Sequence, residues 1–233
     1  ITRQLPQDPR AHTHAVSSFG TYFYNFNCKP RLPDGRDNPF ADARVRRAFA
    51  MCIDKPAIAK QIRRLGEPSA HTLIPPGSIG GYTSPKGLPN IGDAADEAER
   101  QEIIEQAKTL LKEANFPDDF VVELAFNKDA GHDLIGQAIA KSWQQSLGVE
   151  TQLSQKEIKI FREDLKNKQY MTARAGWFGD YGDPTTFLDI NHSKDGNNDR
   201  AYNNPVYDKL LEDAGNELDP SKRMAMLSEA ERI

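Results

Sequence analysis

At 233 residues with 38% apolar composition, the chain can bury the core of one large or two small domains. Its acidic and basic residues are interspersed and sum to only -4, which excludes a basic face for nucleic acid and a polybasic membrane anchor. No apolar run approaches the roughly 18 residues of a membrane-spanning helix, and the start shows neither an initiator methionine nor a leader pattern. Two cysteines are too few for a disulfide framework. Cys52 continues the apolar spacing of Val45, Ala48 and Phe49 and reads as a small core residue, while a bond between Cys28 and Cys52 stays open.

Residues 1–18 carry two prolines and a His12-x-His14 pair and read as a connector entering from elsewhere; two histidines without a third ligand make a poor metal site. Residues 20–27 are aromatic on both faces, which predicts a strand in the middle of a sheet. A proline-rich loop follows, then a helix over 41–53. Asp54 caps a second helix with Pro56 in its first turn, closed by Gly66 and carrying Arg63 and Arg64. The bland reading of those arginines is compensation of the helix dipole.

Residues 69–90 lack periodicity and form a long surface loop. A helix over 94–114, a strand over 120–126, an amphipathic helix over 133–146 and a strand over 149–153 follow. The strand–helix–strand succession implies a right-handed crossover and a parallel pair. His132 falls at the C-terminal edge of the first of those strands, where ligands of α/β sheets gather, although a lone histidine there also serves as a cap. Ser154 with Glu157 reads as a capping box opening a helix over 157–167, with Ile158, Phe161 and Leu165 as its core stripe. Two further helices are announced by Asn204-Pro205 and Asp219-Pro220, and the second stops in mid-pattern, as a piece of a longer protein would. The class is α/β, a mixed sheet flanked by helices.

Chemistry concentrates in residues 171–188, MTARAGWFGDYGDPTTFL. A strand over 171–175 leads into Gly176 and Gly179, which permit a bend that turns Trp177 and Asp180 outward together, with Arg174 just before them. A cation, an aromatic plate and a carboxylate beside apolar surface suit a small-molecule or peptide site. The bland alternative is a strand end with a capping aspartate and a core tryptophan. No nucleotide-binding loop, zinc-protease helix or nucleophile elbow is present; the enzyme reading rests on Asp180 and Asp183 as a carboxylate pair for hydrolysis.

The block from Ala173 to Leu188, the TYFYNFN strand, the Ala43-Arg44-Val45-Arg46 helix start with Asp54 beyond it, and the Tyr202, Pro205, Tyr207, Asp208 pattern together resemble the peptide-binding family of ABC-importer solute receptors, family 5. The resemblance runs from about Phe19 to the end. It implies the ligand-binding lobe of a type II periplasmic receptor: residues 19–233 as most of the C-terminal lobe, its final return absent, and residues 1–18 as the connector from an absent N-terminal lobe. It implies a non-enzymatic, cofactor-free monomer that captures extended oligopeptides between two lobes and delivers them to a membrane permease. Its place is the periplasm, or a lipid anchor at the outer face of the cell membrane. It further implies that Asp180 pairs with the peptide α-ammonium and that the backbone of Ala175, Gly176, Trp177 and Phe178 pairs with the peptide main chain. Trp177 walls a side-chain pocket, and Arg174, His132 and Arg63 meet peptide carboxylates.

The chain departs from that pattern at three positions. Leu165 replaces an arginine, and Gly20 and Phe178 stand where a cysteine pair ties the first strand to the signature loop. Phe178 is expected to narrow a pocket. Other readings are a different cargo on the same fold (dipeptide, murein peptide, haem or a nickel chelate), the Asp180/Asp183 hydrolase, and a sensing module built on the receptor fold.

Overall fold

Short segments rich in β-branched and aromatic residues alternate with amphipathic ones, and the computed structural model, which describes residues 18–129 and 131–233, builds a mixed sheet with helices on both faces. The His12/His14 pair and nearly all of the connector lie outside the described residues. Four strands, β1 (Gly20–Phe26), β2 (Val122–Asn127), β3 (Thr151–Lys156) and β4 (Thr172–Phe178), lie in the order β1-β4-β2-β3. β2 pairs with β3 in parallel, as the crossover reading requires, and with β4 also in parallel; β1 runs antiparallel to β4.

The aromatic first strand therefore sits at an edge of this sheet, not in its middle. Its two faces are nevertheless covered: Tyr24 and Phe26 pack on the main core, and on the opposite face Phe23 lies beneath the Arg200 guanidinium at 5.8 Å. Covering both faces calls for apolar residues on both, whatever the strand's place in the order.

α1 (Ala43–Met51), α3 (Glu97–Glu113) and α4 (His132–Leu147) cover one face. Val45, Ala48 and Phe49 of α1, Ile103, Ile104 and Ala107 of α3, and Ile135, Ile139 and Trp143 of α4 close over Val122, Leu124 and Phe126 of β2. Trp143 is fully buried, its indole N–H donating to the Phe49 carbonyl at 3.0 Å. Cys52 is buried in this core, and both cysteines are free thiols. α5 (Ile158–Asn167) covers the other face, where Phe161 meets Ala125, Tyr170 and Ala173. A second apolar cluster joins α6 (Thr185–Leu188), α7 (Pro205–Asn216) and α8 (Pro220–Arg232) to Ile74, Ile79 and Tyr82. Residues 69–90 thus lack regular structure but are pinned, the Glu231 carboxylate accepting from Ile74 N–H and Tyr82 O–H, both at 2.7 Å.

The caps at Asp54, Asn204 and Asp219 form as predicted. Ser154 instead belongs to β3, and the α5 N-cap is Glu157 with no side-chain bond, because the strand continues to Lys156 in register with β2. Ile158 is consequently exposed, and the α5 stripe is carried by Phe161 with Leu165 beside it. The helix capped by Asp54 (α2, Lys55–Ala57) widens into a π-helical stretch, Ile58–Arg63, and ends at Arg64 in the left-handed region (φ 58°) before Gly66. Arg64 Nε donates to the Gln61 carbonyl, the helix-end compensation expected of it.

Candidate ligand-binding site

The site grows from the way β2 and β4 part. Their pairing is confined to Leu124–Thr172 and Ala125–Ala173, after which the strands diverge. β2 hands the chain to α4 over one face, whereas the chain after β4 packs on the other, where Trp177 joins the α6–α8 cluster. Adjacent strands whose connections leave in opposite directions open a crevice at their C-terminal ends. Among the described residues, the edge of β4 that would face β2 has no strand partner from Arg174 to Phe178.

Side chains from β1, β2, β4 and α4 meet at the base of this fork, with Arg63 of the π-helical stretch acting on them through its charge. Arg174 Nη1 donates to Asn127 Oδ1 at 3.3 Å, and its guanidinium lies 5.3 Å from the centre of the Tyr22 ring. Opposite Tyr22 in register is Gly176, so no side chain of β4 stands between that ring and α4. Tyr22 Oη reaches His132 Nδ1 at 3.2 Å and Tyr24 Oη at 3.4 Å. His132 is the first residue of α4, follows Gly131 at φ 90°, and is 6% exposed. Burial, then Arg174 and, more weakly, Arg63 hold the imidazole below the ordinary histidine range, against Asp129 and Asp133. Burial likewise raises the Tyr22 phenol, which Arg174 and Arg63 draw down in part. Arg63, on the π-helical stretch, donates from Nε to Glu67 Oε1 at 2.8 Å.

Two basic residues named from sequence, Arg174 and His132, are thereby brought to opposite sides of Tyr22, and the third, Arg63, acts on both Tyr22 and His132 through its charge. Sequence reading missed Tyr22, Tyr24 and Asn127. The alternation of Tyr22 and Tyr24, which places them on one face of β1, was the available signal. Among the described residues Arg174 has no acidic partner, whereas Arg63 is paired with Glu67 and the carboxylates of Asp129 and Asp133 act on His132.

At the other end of the free edge the strand continues straight through Gly176 to Phe178, held by Gly20–Phe178 pairing, rather than bending at Gly176. Gly179 is required for a different reason than a turn: a Cβ there would lie 2.1 Å from the Phe19 ring. Its N–H donates to Phe19 O at 2.8 Å, extending the β1–β4 ladder. Trp177 is half-buried against the second cluster with its indole N–H without a partner among the described residues, and Ala175 shares its face. Phe178 is 70% exposed and lies over Gly20, so the two positions that depart from the cysteine-pair pattern stand opposite each other.

Asp180 is exposed, its backbone N–H held by Thr186 Oγ1 at 2.9 Å and its carboxylate without a partner among the described residues. Asp183 differs in every respect. Arg223 donates to both its oxygens at 2.7 and 2.9 Å, and Thr185 donates its N–H and hydroxyl to Oδ1. The Arg223 hydrogen bond foremost holds its carboxyl below the usual range. A carboxylate so engaged fixes a loop and is not placed to exchange a proton with Asp180, so the paired-acid hydrolase reading loses its second member.

Residues 2–199 match the family described as bacterial extracellular solute-binding proteins, family 5, middle region. The match spans most of the chain and agrees with the mixed α/β fold, and the chain belongs to this family. Among the curated relatives, it is 30% identical over 99% of its length to the periplasmic murein peptide-binding protein MppA of Escherichia coli (strain K12). It is 30% identical over its whole length to the periplasmic oligopeptide-binding protein OppA of Salmonella typhimurium, and 29% over 98% to the oligopeptide-binding protein OppA of Bacillus subtilis. A solved structure of the E. coli murein tripeptide binding protein MppA superposes with a TM-score of 0.85 at 30% identity, covering 99% of this chain and 43% of that one. The chain spans about 40% of the length of the curated relatives it matches. These relatives are binding proteins, and among the described residues no helix is long and apolar enough to cross a membrane.

Proposed function

We propose that residues 19–233 are the C-terminal ligand-binding lobe of a peptide receptor, with residues 1–18 as the connector from a second lobe. The complete protein is the substrate-binding component of an ABC importer: a monomer, in the periplasm or lipid-anchored outside the cell membrane, that closes on an extended oligopeptide and delivers it to a permease without catalysis. The observation that carries this reading is the edge of β4 left without a strand partner among the described residues, with an unpartnered carboxylate beyond one end and, at the other, Arg174, which has no acidic partner there.

An extended peptide adds to that edge as a strand antiparallel to β4, its ammonium toward Asp180 and its carboxylate toward Arg174, His132 and Arg63. Main-chain bonds along Ala175, Gly176, Trp177 and Phe178 are indifferent to ligand sequence. The span from Arg174 to Phe178 is about 13 Å of strand, which with the reach of the terminal side chains suits peptides of roughly three to five residues and leaves a dipeptide short. Trp177 and the exposed Phe178 ring wall the side-chain space.

Calorimetric titration of the complete protein with tetra-alanine and N-acetyl-tetra-alanine tests the assignment. The free amine should bind about 10- to 100-fold more tightly, a charge-assisted hydrogen bond being worth roughly 1.5–3 kcal/mol, and Asp180→Asn should abolish the difference. Equal affinities for the two peptides would remove Asp180 from the role.

A further inference from the structure

We infer that His132 is a proton-linked element of the cationic cluster: it stays neutral in the empty site and takes up one proton from solvent when a ligand carboxylate enters, so that carboxylate-terminated ligands bind more tightly as pH falls. The inference rests on the peptide reading above and adds to it a dependence that the reading itself does not require.

The geometry supplies each part. His132 is nearly enclosed, with Nδ1 facing the Tyr22 hydroxyl at 3.2 Å and Nε2 without a partner among the described residues. The charged and titratable groups facing it come from every element around it: Arg174 from β4, Tyr22 and Tyr24 from β1, Arg63 with its partner Glu67 from the π-helical stretch, Asp129 from the β2–α4 loop, and Asp133 from α4 itself. In the empty site burial foremost, then the Arg174 and Arg63 guanidiniums, oppose a charged imidazole, against the carboxylates of Asp129 and Asp133.

A carboxylate arriving among these groups reverses the balance. An opposite charge within about 4–6 Å raises the affinity of an imidazole for its proton by roughly 1–3 pKa units. In the neutral state Tyr22 O–H donates to Nδ1 and the ring proton sits on Nε2. After uptake, Nδ1–H donates to Tyr22 Oη, and the phenol proton turns toward Tyr24 Oη or the ligand. One proton enters, none leaves, and the imidazolium gains the ligand as counter-ion.

By linkage, affinity for a free-acid peptide should rise about tenfold or more from pH 7.5 to pH 5.5, a window above the pKa of the peptide carboxyl and below that of its ammonium. The test is calorimetric titration of the complete protein with tri-, tetra- and penta-alanine and their C-terminal amides, at both pH values and in buffers of different ionisation enthalpy. Uptake of a fraction of a proton by at least one free acid, absent for its amide, is the expected result, with His132 titrating at higher pH by NMR in the peptide-saturated wild type. His132→Gln should flatten the pH dependence to within about twofold while acid remains preferred over amide. An acid preference with no proton uptake and no shift of His132 would overturn the proton linkage and leave the peptide reading standing. Amides bound as tightly as acids at both pH values, or no peptide bound at all, would overturn the carboxylate contact itself.

Discussion

The two aspartates of the signature loop sit three residues apart and should fail in opposite ways when altered. Asp183 is held by both Arg223 nitrogens and accepts twice from Thr185, with the side chains of Asp183 and Arg223 only 28% and 24% exposed. Partial burial shields the pair from solvent more than an ordinary surface bridge, whose median worth is about 0–1 kcal/mol. Asp183→Asn turns one acceptor into a donor facing a guanidinium and removes the charge from the rest, a loss of about 2 kcal/mol on the scale of charge-assisted bonds. For a domain of this size that lowers Tm by roughly 4–8 °C. Arg223→Ala should cost a similar amount, and the double variant less than the sum, with a coupling of about 1–2 kcal/mol.

The same pair predicts a pH dependence. A carboxyl held below its unfolded value, about 3.9, contributes its full stabilisation above that value and loses it as pH falls through the lower, folded one, so the difference between wild type and Asp183→Asn should shrink below pH 4. Urea unfolding followed by tryptophan fluorescence at pH 7 and pH 3 measures both effects. A cost under about 0.5 kcal/mol at pH 7, or strict additivity with Arg223→Ala, would refute the claim that this bridge fixes the loop.

Other expectations follow from close contacts. Gly179→Ala should destabilise by about 1–3 kcal/mol, because the new methyl enters the Phe19 ring that stacks edge-on against Phe187, and Phe19→Leu in the same background should recover part of the loss by thermal denaturation. Glu231→Ala strips the acceptor from the backbone N–H of buried Ile74 and leaves the Tyr82 hydroxyl only its longer contact with the Leu227 carbonyl, and should cost about 2 kcal/mol with faster amide exchange at Ile74; an unchanged exchange rate there would show that the long loop is held by its apolar contacts alone.

Much of the architecture was legible because it is written in local terms. Apolar spacing located α3, α4 and the parallel β2–β3 unit, and Asp54, Asn204 and Asp219 marked helix starts whose caps depend only on neighbours two or three residues away. The signature block likewise named Arg174, Trp177 and Asp180 through their chain context. What local terms do not carry is who pairs with whom. Ser154 and Glu157 have capping-box spacing, but pairing with β2 extends β3 past Ser154. An aromatic strand reads as central although it stands last in the order of the described strands, since side chains report coverage of faces and not occupancy of edges.

The amino-acid order alone determined the class, the family resemblance and the loop that bears Asp180, since each depends on periodicity or on residues contiguous in the chain. Only the tertiary structure decided that β2 and β4 diverge after Ala125 and Ala173, that Tyr22 from one strand links His132 on a helix to Arg174 on another strand, and that Asp183 is spent on Arg223 forty residues away. Those are contacts between segments far apart in the chain, fixed by the packing of α4 and α8 against the rest and encoded in no single stretch of residues.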